Sequence, residues 1–115
     1  MASEGDWKPP SAEDALLAEI VRRLVGAYQP ERIYLFGSTA RGDSGPDSDY
    51  DLLILVPDEA PAAKKHSDLG YLAMTGLPRS GDFLVWTRSR FEGRLHLRAS
   101  LPSTVLREGK LLYAA

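Results

Sequence analysis

Leu16, Leu17, Ile20, Val21, Leu24, Val25 and Tyr28 recur at the three- and four-residue spacing of one helical face, leaving Glu19, Arg22 and Arg23 on the other. The pattern predicts a helix that opens at Ser11, where Ser11-Ala-Glu-Asp14 has the form of a capping box, and closes at Gly26 and Pro30. The periodicity then shortens. Arg32-Ile-Tyr-Leu-Phe36 has apolar groups on both sides, as a strand covered on two faces requires, and Tyr50–Val56 is the clearest strand in the chain, ended by Pro57. Residues 61–75 read as one weakly amphipathic helix, Asp82–Thr87 as a third strand, 88–97 as a helix and Pro102–Glu108 as a short helix. Leu111–Tyr113 closes the chain as a last short strand. Strands alternating with helices give an α/β (α+β) class: a small mixed sheet flanked by helices, in two or three layers.

Length and composition narrow the reading. At 115 residues, 43% hydrophobic and 26% charged, residues 11–115 form one domain of ordinary globular make-up, and residues 1–10 read as a flexible, Pro-rich leader without signal-peptide character. The absence of cysteine excludes disulfides and thiolate metal sites. The longest aliphatic run, Leu52–Val56, is far short of the roughly 20 residues that span a bilayer, so the expectation is a soluble, cytoplasmic protein with no membrane partner. A net charge of −2 gives no broad field for a polyanion, which disfavours nucleic acid as a partner. It leaves room for a compact anion that brings its own cation.

Candidate chemistry collects between the first two strands. Side chains alternate along a strand, so Asp49 and Asp51 share a face with Leu53 and Leu55, and two adjacent carboxylates on an apolar strand require a cation. Hard oxygen donors suit Mg²⁺ or Mn²⁺. Gly37-Ser38 directly after a buried strand offers backbone N–H groups to a phosphate, although Gly-Ser is also an ordinary turn pair. Asp82 opens the third strand much as Asp49 opens the second, and strands about 4.8 Å apart would let all three acids meet one metal cluster. Three carboxylates with a phosphate-cradling turn, and no nucleophilic Cys or Ser-His pair, point to phosphoryl or nucleotidyl transfer without a covalent enzyme intermediate. His66, His96, Lys64, Lys65 and Trp7 carry no part of this pattern, and Phe83 and Trp86 read as core.

The stretch Phe36-Gly-Ser-Thr-Ala-Arg-Gly-Asp-Ser-Gly-Pro-Asp-Ser-Asp-Tyr-Asp-Leu-Leu-Ile-Leu55 closely resembles the signature of the DNA polymerase β-like nucleotidyltransferase superfamily, and its Gly-Ser-x-Ala-Arg-Gly opening resembles the minimal nucleotidyltransferases. The resemblance implies a polymerase β palm-like fold, metal binding by Asp49 and Asp51, triphosphate binding by Gly37 and Ser38, and Arg41 neutralising phosphate charge. It makes Asp82 the third carboxylate, a catalytic and metal-binding acid that helps the acceptor lose its proton; Asp58 and Asp68 are the rivals for that role. The cofactor implied is a pair of Mg²⁺ ions, with Mn²⁺ as substitute, and the donor is a nucleoside triphosphate, ATP being commonest in the family. Larger members append a domain that holds the acceptor. A chain of this length leaves little room for one, so the resemblance implies a partner, foremost a HEPN-type RNase toxin adenylylated on a tyrosine. Two other readings stay open: a non-catalytic antitoxin subunit that binds nucleotide or partner, and the catalytic subunit of a two-chain enzyme acting on a small molecule such as an aminoglycoside.

Overall fold

The structure, a computed structural model, describes residues 12–42, 49–79 and 81–115, omitting the side chains of residues 12–14 and 38. The expected leader 1–10, the Ser11 cap and Trp7 lie outside the described residues. Helix α1 (Ala12–Tyr28) is followed by strand β1 (Arg32–Phe36), a one-turn helix α2 (Gly37–Arg41) and strand β2 (Tyr50–Val56). A 3-10 turn at Ala62–Lys65, helix α3 (Asp68–Ala73), strand β3 (Gly81–Thr87), helices α4 (Arg88–Glu92) and α5 (Leu101–Glu108), and strand β4 (Lys110–Ala114) complete the described chain. The sheet order is β3-β2-β1-β4; β1 is antiparallel to both β2 and β4, whereas β2 and β3 run parallel.

The two-sided apolar character of β1 and β2 is explained by the layers around them. On one face Ile33, Leu35, Leu52, Ile54 and Val56 pack with Ile20 and Leu24 of α1. On the other, Tyr34, Leu53 and Leu55 pack with Phe91 of α4 and Val105 of α5. The sheet is therefore the middle of three layers. Its parallel pair needs the crossover through α3, which lies on the α1 side.

Polar contacts from α1 fix that crossover. Tyr28 Oη, at the end of α1, donates to the His66 carbonyl at 2.6 Å and accepts from the Gly70 N–H at 2.8 Å. Burial is the main cause that raises the phenol above its ordinary pKa. Arg23 donates from one guanidinium nitrogen to the carbonyls of Ala73 and Thr75, both at 2.9 Å, while Glu19 accepts from its Nε at 3.0 Å.

Directly off β1, Gly37–Arg41 turns as α2 and buries Ala40. Two expectations need correction. Residues 61–75 are two short elements, broken where His66 is extended and its carbonyl is taken by Tyr28. The helix expected over 88–97 stops at Glu92, capped by Gly93. Strand β3 is also less covered than its residues suggest: Phe83 is buried, but Leu84 is 39% exposed because β3 is an edge strand.

Truncating Leu53→Ala, fully buried at the centre of the sheet, is expected to cost about 2–5 kcal/mol. Leu111→Ala on exposed β4 stays within about 0.5 kcal/mol. Urea midpoints of the two variants check the assignment of the core; similar losses would contradict it.

Candidate active site

The candidate residues gather at one end of the sheet, where β1 ends and β2 and β3 begin. Asp51 pairs in register with Asp82 across the parallel β2–β3 ladder, so both side chains project from the same face. Asp49 immediately precedes β2, two residues before Asp51, and is exposed. Asp51 is half-buried, and its carboxyl is raised above its ordinary pKa. Burial is the largest cause, the charges of Asp82 and Asp49 add to it, and the Arg41 guanidinium opposes it. That electrostatic coupling places Arg41 and all three acids in one neighbourhood.

Gly37 is demanded by its surroundings. It turns the chain from β1 into α2 at φ +73°, in the left-handed region that L side chains disfavour. A Cβ there would overlap Asp51 Oδ2 and stand 3.2 Å from its Cγ. The backbone at Gly37 thus runs against the Asp51 carboxylate. Thr39 of α2 donates its hydroxyl to the Asp49 carbonyl at 3.1 Å, tying the Gly-Ser turn to the entrance of β2. Ser38 lies on α2 by its backbone.

The two rival acids are placed elsewhere. Asp58 follows β2 at the opposite end of the sheet, where both its oxygens accept from the Ser89 N–H and hydroxyl, contacts that hold its pKa below the ordinary value. Asp68 is in the first turn of α3, on the other side of the sheet from the face of Asp51 and Asp82. Exposed His66 and His96 stay outside the cluster, and Lys64 donates to Gln29 at 2.8 Å, on the surface. Trp86 packs in the second core with the Arg90 guanidinium 4.1 Å over its ring.

Among the described residues no three Asp, Glu, His or Cys side chains close into a ready-made metal cage. The three acids share a field without forming the single cluster that strand spacing suggests. Mg²⁺ binds through one or two carboxylates and takes its remaining ligands from water and phosphate. The donors fit such an ion: all are hard oxygens, and a dication would offset both the burial and the added repulsion that raise Asp51.

A cleft of about 350 Å³ opens beside Asp49 and Asp82, walled by Tyr71, Met74, Leu77 and Arg79. Sequence reasoning does not mark these four as site residues, because no spacing connects them to the acids; the crossover brings them there. A smaller pocket of about 120 Å³ at the far end, against Arg88 and Glu92, contains none of the candidate acids.

Residues 15–111 match the nucleotidyltransferase domain family, and the chain belongs to it. Its fold is similar to that of a Sulfolobus solfataricus protein assigned to the nucleotidyltransferases, at 22% identity and TM-score 0.58 over 87% of this chain and 78% of that one. It is likewise similar to a toxin–antitoxin structure with AMP-PNP, at 24% identity and TM-score 0.56 over 84% and 72% of the two chains. A third likeness is to a mutant MntA–HpeT toxin–antitoxin with two Asp-to-Glu changes, at 22% identity and TM-score 0.54 over 83% and 71%. No curated protein sequence matches.

Gly42 also has positive φ, at +79°, but open space around its Cβ, so Gly42→Ala is expected to cost only the conformational about 1–2 kcal/mol. Gly37→Ala carries that cost and also displaces Asp51, so it is the more destabilising of the two in urea unfolding. Equal losses would contradict the close packing of Gly37 on the carboxylate.

Proposed function

We propose that the protein is a metal-dependent nucleotidyltransferase that moves AMP from ATP to a hydroxyl of a partner protein. The acceptor is a tyrosine of a HEPN-type RNase toxin, so the protein acts as an antitoxin. The observation that carries the reading is the in-register Asp51–Asp82 pair, with Asp49 beside it and the Gly37 turn packed on Asp51. The toxin–antitoxin likenesses support the choice of partner.

In this reading Asp49 and Asp51, with Asp82, would hold two Mg²⁺ ions, which would supply positive charge to the transferring phosphoryl group when bound. The backbone at Gly37 and Ser38 receives the triphosphate, and Arg41 offsets part of its charge. Asp82 accepts the proton of the acceptor hydroxyl. The oxygen bonds to the α-phosphorus, the bond to the β-phosphate oxygen breaks, and pyrophosphate leaves with that electron pair.

Mg²⁺ with ATP at about one hundred times Kd adds about 2.7 kcal/mol to the folded state, a rise of order 10 °C in Tm for a domain this size. The wild type is expected to show that rise and Asp49→Asn almost none; equal rises remove the metal-site assignment. With the co-purifying partner and α-labelled ATP, label on the partner that needs Asp51 and Asp82 is the expected result. A stable complex that never becomes labelled overturns the enzymatic reading in favour of a binding subunit.

A further inference from the structure

We infer that the protein pairs with a second copy of itself along strand β3, joining two sheets edge to edge about Leu84 and setting Arg90 of each copy beside Asp82 of the other. The inference stands apart from the proposed reaction and holds whether or not AMP is transferred.

The two edges of the sheet are built differently. β4 carries devices that discourage pairing: it is five residues long, opens on Lys110, and its register against β1 is broken between Ile33 and Tyr34. β3 lacks them. It runs for seven residues in unbroken register with β2, without Lys or Pro, and its one charge is Asp82, next to its start. The rest, Phe83-Leu-Val-Trp-Thr87, consists largely of the aromatic and β-branched residues that strands favour. Among the described residues the sheet ends at β3. A strand of this length and composition at an edge offers a row of backbone donors and acceptors to another chain.

Apolar surface flanks that edge on both faces. Leu84, 39% exposed, shares the face of Asp82. On the other face Tyr71, 50% exposed, meets the Phe83 ring edge-on with centroids 5.1 Å apart. α4 does not roof the edge, because it turns inward from the end of β3 and stacks Phe91 on Tyr34 of β1, with centroids 5.9 Å apart.

The strand is also complementary to itself. Leu84 is the middle of the seven residues, so antiparallel pairing engages all seven only when Leu84 faces its own copy. Alternation then sets Phe83 against Val85 of the other copy on one face, and Asp82 against its Trp86 on the other. Trp86 carries the Arg90 guanidinium 4.1 Å over its ring. The pairing therefore brings a cation to each Asp82, and through it to Asp51, its partner in register. That match of charge selects a second copy over a strand of another protein, and the two-fold axis makes it occur twice.

Sedimentation equilibrium of the full chain tests this, with the mass of two chains expected. Leu84→Lys, at an exposed position, sets like charges face to face and should give the mass of one chain, whereas Leu111→Lys on β4 should leave the pair intact. Arg90→Glu should raise the dimer Kd about tenfold, and combining it with Asp82→Lys should recover most of that loss. Because the chain has no cysteine, Leu84→Cys gives a second readout: oxidation should link two copies through that position, and Leu111→Cys should not. A monomeric wild type, a dimer that survives Leu84→Lys or dissolves on Leu111→Lys, or a charge reversal that recovers nothing overturns the inference. So does a monomer whose complex with another protein is lost on Leu84→Lys, which gives the edge to that protein instead.

Discussion

The parallel register of β2 against β3 is the constraint on which the candidate site depends. It sets Asp51 beside Asp82 on one face, and it does so at the end of the sheet where Asp49 and the Gly37 turn also lie. A half-buried carboxylate at this strand end opposes folding: burial first, and the charges of Asp82 and Asp49 after it, raise the pKa of Asp51. The packing on both faces of β2 holds them there: Leu52 to Val56 are essentially all buried, five successive residues shared between two cores. A slip of one residue would send Asp51 to the opposite face and Leu52 out of its core. The apolar strand therefore fixes the position of the acids.

That dependence extends to the backbone. Gly37 is excluded from being any other residue by both its positive φ and the Asp51 carboxylate against it. The parallel pairing in turn requires a crossover, and the crossover is what delivers Tyr71, Met74, Leu77 and Arg79 to the cleft. The polar anchors at Tyr28 and Arg23 fix that segment to α1. In this architecture the helix farthest from the acids in sequence shapes the wall of the cleft beside them.

Much of this was legible in the residues. The helical period of Leu16 to Tyr28 and the apolar strands at 32–36 and 50–56 follow from local pattern, and each corresponds to an element in place; the Asp-x-Asp spacing is local too, with Asp49 just ahead of β2. Asp58 is separated from the cluster by a contact no pattern reveals, its pairing with Ser89 thirty-one residues away. The break within 61–75 has the same origin, because the His66 carbonyl is claimed by Tyr28 thirty-eight residues back. The cleft was illegible because its apolar wall looks like core in a sequence. Exposure of Leu84 depends on strand order, and strand order is a tertiary fact.

The central claim is that Asp49, Asp51 and Asp82 hold a divalent cation against a triphosphate at the Gly37 turn. Paramagnetic broadening by substoichiometric Mn²⁺ with ATP tests it most directly, since Mn²⁺ takes the same oxygen ligands as Mg²⁺. Amide signals of Gly37–Arg41, Asp49–Asp51 and Asp82 are expected to broaden first, with those of Arg88–Leu106 spared. Broadening centred on any other part of the fold, or none at all, would contradict it.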